Sequence, residues 1–208
     1  FEIEGTGRVL LFSMAAVSSG IPWDWGATPD QPGLNLLPDL SAATVRHLGR
    51  QVQPVKRPGD LAIASLHWGG NWGYEIPNSQ RDFAHQLLEG AGFDLIYGHS
   101  SHHVKGIEVY RSKLILYGCG DFLDDYEGVL GYESYRDDLG LIYFADLELE
   151  TGKLISLRLV PMQVRQFRLH RASLPDVQWL RDTLSREGER WGTRAELTPE
   201  GTLTLHWQ

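Results

Sequence analysis

The stretch GHSSHH places His99, His102 and His103 within five positions of one another, in a chain that holds eight histidines among 208 residues. It follows the apolar run Leu95–Tyr97, so these side chains fall where a strand should end. A neutral imidazole gives one ring nitrogen to a divalent cation while a neighbour holds the other. Two further polar clusters end apolar runs in the same way: HWGGNWGYE (His67–Glu75) and GCGDFLDDYE (Gly118–Glu127). Glycines beside such residues let the backbone turn sharply and approach a ligand. His67, His99 and His102 are therefore candidate metal ligands, although hydrogen-bonded structural histidines would give the same pattern. His47, His85, His170 and His206 stand alone and read as structural, His85 within a helical stripe. Histidine with carboxylate and without thiolate suits Zn, Mn or Fe better than a closed structural zinc site. Trp23, Trp25, Trp68 and Trp72 either stack on a substrate or pin their own loops.

The elements that must position these residues follow from the hydrophobic pattern. GRVLLFSMAAVSSG predicts a buried strand opening into a loop, and the tryptophan- and proline-rich segment after it predicts an ordered loop. SAATVRHLGRQVQ predicts a helix capped by Ser41, and SQRDFAHQLLEGAG a helix capped by Ser79 and stopped by glycine. GDLAIASLHWGG, FDLIYGH and KLILYGCGDF predict strands. The order strand, helix, strand, strand between Gly59 and Phe122 implies a parallel crossover in a mixed α/β sheet, whose strand ends line one edge where ligands bind. Beyond it, LGLIYFADLEL and LISLRLVPMQV predict a hairpin turning at Thr151–Gly152. A helix over Asp176–Glu187 and a closing strand pair, TRAEL and TLTLHW, complete the chain. Asp137 and Asp138 read as capping or solvating a strand start. The loop YEGVLGYESYRDD, with Tyr126, follows the third polar cluster directly and borders the predicted site.

Composition bounds the function. With 42% hydrophobic residues the chain can bury one sizeable core, so residues 1–208 read as a single domain. The net charge of −8, with basic residues dispersed, argues against nucleic-acid binding. The single cysteine, Cys119, excludes an intrachain disulfide. No apolar run reaches the ~18 residues of a membrane helix, and the start FEIEGTGRVLLFSMA, with acidic flanks and no basic region, does not read as a signal peptide; without an initiator Met, the chain is expected to begin part-way through a longer protein.

The stretch from Ser65 to Phe122 resembles the CapA/PgsA family of bacterial capsule and poly-γ-glutamate synthesis proteins. The resemblance rests on SLHWG, a following helix, GHSSH, GIE and YGCGDF in that order, with SSGIP near the start as a weaker match. It implies the calcineurin-like metallophosphoesterase superfamily, whose fold is a two-sheet α/β sandwich with two divalent metals at the strand ends. By resemblance His67 matches the HWG histidine, and His99 and His102 match the GH-x-x-H pair, as metal ligands and catalytic residues. His103 falls one place past the motif. Asp121 stands where the family carries asparagine and would either contact a cation or cap the next segment. The family's early GD, N-L-E and NNH-x-x-D motifs are absent, so the chain reads as the C-terminal half of such a domain. A segment outside it, or a second chain, would then supply the missing carboxylates, because two dications need bridging negative charge.

The implied activity is metal-dependent hydrolysis of a phosphoester or amide, with Trp68, Trp72 and Tyr126 contacting the substrate. The same site could instead epimerise a peptide by α-proton abstraction. A third reading is a non-catalytic component that binds an anionic polymer or partner enzymes during capsule assembly. The compartment stays open between the cytoplasm and an anchored position at the cell surface.

Overall fold

A computed structural model of the chain describes residues 1–3, 7–124 and 126–208; Asp125 of the third polar cluster lies outside them. In chain order the strands are β1 (Glu2–Ile3), β2 (Gly7–Ala16), β3 (Leu36–Leu37), β4 (Leu61–His67), β5 (Leu95–His99), β6 (Ile107–Tyr110), β7 (Lys113–Leu116), β8 (Leu139–Leu147), β9 (Leu154–Arg165), β10 (Arg168–Arg171), β11 (Thr193–Leu197) and β12 (Leu203–Trp207). The α-helices are α1 (Ala42–Val52), α2 (Asn78–Gly90) and α3 (Leu174–Gly188). Among the described residues these form a mixed α/β molecule with two sheets. The first has the order β1-β2-β4-β5-β7-β6 with β3 beside β2, and the second the order β10-β9-β12-β11 with β8 beside β9. The predicted two-sheet α/β architecture is therefore present.

The first sheet is parallel through β2, β4, β5 and β7. Period-2 alternation sends Ala62, Ala64 and Leu66 of β4 to one face, where they are buried with Phe83, Leu87 and Leu88 of α2 and Val45, Leu48 and Val52 of α1. Those helix positions recur at three- and four-residue spacing, which makes one apolar stripe per helix. The opposite face meets the second sheet: Leu95, Leu114 and Leu116 share a core with Leu141 of β8, Leu157 and Leu159 of β9, and Leu180 of α3. Buried Asp94, just before β5, accepts the Ala62 N–H at 2.9 Å and Lys113 Nζ at 2.8 Å, and also pairs with Lys56. A buried carboxylate persists only with such partners, and here they tie the starts of β4, β5 and β7 together.

Ser41 caps α1, its Oγ accepting the Thr44 N–H. The cap expected at Ser79 is instead Pro77, whose carbonyl takes the N–H groups of Gln80 and Arg81. Its φ of −58° is already set for helix entry, which starts α2 at Asn78. Four strands escaped the sequence reading: the two-residue β1 and β3, the latter inside the segment read as a loop, and β6 and β10. β6 and β10 each join their neighbour through a two-residue turn with positive φ at both positions, Arg111–Ser112 and Gln166–Phe167, in place of the usual Asn-Gly signal.

Candidate functional site

Parallel pairing of β4 with β5 sets His67 in register with His99 at the C-terminal ends of both strands. Both rings lie on the face that looks toward the second sheet, in one column with Ile63, Ser65, Leu95 and Tyr97. Their Nδ1 atoms face each other at 3.0 Å, with ring planes tilted by 55°. Two facing ring nitrogens either share one proton or turn both lone pairs to a cation. Ser65, two residues before His67 on the same strand face, places Oγ 3.2 Å from His99 Nε2. When Nε2 carries the proton and donates it to Ser65, His99 presents a bare Nδ1 toward His67. Burial lowers the pKa of both rings; the charge of His102 adds to the effect on His67, and that of His67 to the effect on His99. Both are thereby held in the neutral form that a metal requires.

The turn after β5 is strained and tied. Ser100 has a φ of 113°, rare for a residue with a side chain, and its hydroxyl donates to Gly69 O at 3.1 Å. The Trp68 N–H donates to His99 O, and the His102 N–H to Asn71 O, so the HWGGN and GHSSH loops are laced by backbone bonds. Gly98 permits the close approach beneath them: a Cβ there would lie 2.5 Å from both Trp68 Nε1 and Tyr117 O, which hydrogen-bond one another at 3.1 Å.

A second group stands on the next loop. His102 Nδ1 lies 2.9 Å from Asp121 Oδ2, and the Tyr126 hydroxyl donates to the same oxygen at 2.8 Å. This arrangement places the ring proton on Nδ1 and leaves Nε2 of His102 with a lone pair, 3.4 Å from Asn71 Nδ2. Burial, and then the bonded Asp121 carboxylate, push the Tyr126 hydroxyl pKa well up, so it stays a donor. Asp121 thus orients His102 through the oxygen it has committed, a carboxylate behind a histidine.

The predicted residues divide accordingly. His67 and His99 meet directly, and His102, Asp121 and Tyr126 meet as a second group. Trp72 is half-buried, stacked on Tyr132 with ring centres 4.0 Å apart, and lies 5.2 Å from the His102 ring. Trp68 requires a correction: at 2% exposure, stacked on Tyr117, it is a core residue with no surface for a substrate. Alternation along β4 explains this, since Trp68 follows His67 and points to the helical side. His103 is fully buried beneath Trp72, Tyr74 and Tyr135, with Nδ1 on Val104 O at 2.9 Å. Desolvation brings its pKa down to about 4. Ser65, Asn71 and Ser100 were missed by sequence reasoning; only Ser65 had a signal, its two-residue spacing from His67.

For a tetrahedral ion with 2.0–2.1 Å bonds, two nitrogen ligands lie about 3.3 Å apart, so the His67–His99 pair needs only a slight opening to hold one. Among the described residues no three His, Cys, Asp or Glu side chains converge as metal donors. The pair fits two positions of a metal site, and the described residues alone do not fill the rest.

The model of the Bacterial capsule synthesis protein PGA_cap family matches residues 1–126. The chain belongs to this family. It is 48% identical over 199 residues to a probable polyglutamine synthesis accessory protein of Mycobacterium tuberculosis (strain H37Rv), a match covering 95% of this chain and 52% of the relative. The capsule biosynthesis protein CapA of Bacillus anthracis is 30% identical over 100 residues, covering 48% of this chain and 23% of that protein. The PGA biosynthesis protein CapA of Bacillus subtilis is 32% identical over 74 residues, 36% of this chain and 19% of that protein. This PGA_cap chain spans about half the length of its mycobacterial relative.

Proposed function

We propose that the chain serves capsule or poly-γ-glutamate synthesis as the histidine side of a metal-dependent hydrolase site, in a fold of the calcineurin-like metallophosphoesterase type. The observation that carries this reading is the pair of facing His67 and His99 nitrogens, 3.0 Å apart at adjacent parallel strand ends. A divalent ion held there, with Mn, Zn and Fe as the candidates, would supply an activated water for attack on a phosphoester or amide. Polypeptide outside this chain, or a second chain, would add the carboxylates that a two-metal centre needs. His102, with Asp121 holding its Nδ1 proton, would take up a proton at Nε2 and, as the imidazolium, hand it to a leaving group. The half-buried Trp72 and Tyr126 border the space over His102 and would contact an anionic polymer, peptide or phosphoester there.

The test uses the full-length mycobacterial relative, with metal content measured by plasma mass spectrometry and hydrolysis assayed on poly-γ-glutamate and on a phosphoester. About two ions per polypeptide, and loss of both metal and hydrolysis on replacing the histidines aligned with His67 and His99 by alanine, are expected. Deuterium entering unhydrolysed peptide from solvent would replace hydrolysis by epimerisation at the same site. A non-catalytic, polymer-binding role has one observation in its favour, the lack of three convergent metal donors among the described residues. Polymer binding that survives chelation, without turnover, would establish that role and overturn the first.

A further inference from the structure

Strand β2 is paired along its whole length on one side and barely at all on the other. On the β4 side the register runs unbroken from Val9–Leu61 to Ala15–His67. On the outer side β1 reaches only Gly7 and Arg8, and β3 only Ala15 and Ala16. The main chain of Phe1 adds one more pairing, exchanging both hydrogen bonds with Val9 at 2.8 and 2.9 Å. Asn35 O takes the Ala15 N–H, and Asn35 Nδ2 donates to Ser13 O. Because bonding direction alternates along a strand, the odd-numbered residues face outward. Among the described residues, this leaves the N–H and C=O of Leu11 and the N–H of Ser13 without partners at the open edge.

The side chains at that opening also lack cover. Leu11 is 49% exposed and Tyr97 39% exposed, although both lie on the sheet face that carries His67 and His99. They line a groove of about 480 Å³ with Ile63, Phe122, Leu141 and Tyr143, between the first sheet and β8. The second sheet thus covers the first as far as β4, where Ser65 is buried and Ile63 packs against the shared core, and leaves the outer strand β2 bare at Leu11 and Ser13. An open edge beside an exposed apolar face invites an added strand.

The register identifies which strand. Glu2 opposes Arg8 and Phe1 opposes Val9, so β1 runs antiparallel to β2 and points along its open edge. We propose that this edge is the seat of an extended polypeptide segment continuing upstream from Phe1, running antiparallel to β2 across Leu10–Met14. The mycobacterial relative, of which this chain covers 52%, has the length to supply one. The second residue before Phe1 would oppose Leu11 and exchange both backbone bonds with it. Directly opposed side chains share a face, so that residue is apolar and roofs the groove beside Leu11. The fourth would oppose Ser13, and the segment would leave the sheet at β3, beside Ala15 and its neighbour His67. Such a path carries further polypeptide to the corner where the histidine pair lacks donors; this last step rests on the proposed metal-site reading, and the strand pairing does not.

Residue-resolved hydrogen exchange tests the pairing on this chain, alone and joined at Phe1 to the upstream portion of the mycobacterial relative. In the chain alone, the Leu11 and Ser13 amides are expected to exchange freely while Leu10, Phe12 and Met14 are protected. In the joined polypeptide, Leu11 and Ser13 are expected to slow by about 100-fold or more. Unchanged exchange at both amides in the joined polypeptide overturns the proposal. So does protection that appears in the chain alone only on concentration, with a doubled mass, which would make a second copy the occupant. Metal content measured on the same samples separates the two ideas: protection without metal removes the hydrolase reading and leaves the strand, and metal without protection does the reverse.

Discussion

The two faces of the first sheet are built from the same strands and serve different ends. On the helical face β4 contributes Ala62, Ala64 and Leu66, all at 1% exposure or less, under a lid of α1 and α2. On the other face the same strand contributes Ile63, Ser65 and His67, of graded polarity, and the cover thins toward β2, where Leu11 is 49% exposed. Covered alternate positions make the sheet rigid. That rigidity holds two histidine rings in register at the end of the opposite face, so the geometry of the pair depends on a core that it does not touch.

Substitutions on the two faces should therefore differ in kind. Phe83→Ala, on the helical face at 0% exposure, is expected to cost about 3–5 kcal/mol in urea unfolding. A loss below about 1 kcal/mol would mean that the helical face is not the source of rigidity.

Next in size is a pH effect at the boundary between the faces. His103 titrates near 6.5 when unfolded and at about 4 when folded. The unfolded chain takes up the proton first, so stability is full above pH 6.5 and falls as pH drops toward 4, by about 3 kcal/mol at most. His67 and His99, also lowered, act in the same direction. Unfolding midpoints across that window should flatten in His103→Asn, whose amide can still donate to Val104 O; an unchanged slope would assign the effect elsewhere.

Smaller again, the change equivalent to Asp121→Asn in the full-length protein is expected to leave folding and metal content intact and to lower turnover by about 10- to 100-fold, because His102 loses the carboxylate that fixes its tautomer. Equal turnover in both forms would make Asp121 a simple loop cap. The smallest effect belongs to the bare outer strand: Leu11→Ser should cost this chain less than about 1 kcal/mol, since Leu11 is half exposed already. A large loss there would mean that the groove is covered in solution.

How much of this was legible in the sequence depends on whether local pattern or long-range contact decides each feature. The parallel strands β2, β4, β5 and β7, the three α-helices and the β8–β9 hairpin follow from periodicity and glycine placement, and His67 and His99 were legible as strand-end residues. Trp68 was misread because an aromatic next to a functional histidine looks functional, while alternation sends it to the opposite face. The bond from Ser65 to His99 spans 34 residues and the stacking of Trp72 on Tyr132 sixty, separations at which no local pattern carries information. The placement of Asp121 behind His102 was likewise set by a loop, where sequence spacing fixes neither distance nor direction.

The central claim is that the His67–His99 pair holds a divalent metal. Its most direct test is zinc and manganese titration by calorimetry of the full-length mycobacterial relative, against a variant with both aligned histidines changed to alanine. Stoichiometric binding by the native protein, lost in a variant whose far-ultraviolet circular dichroism and melting are unchanged, is the predicted result. Equal binding by both proteins, or binding by neither, would contradict it.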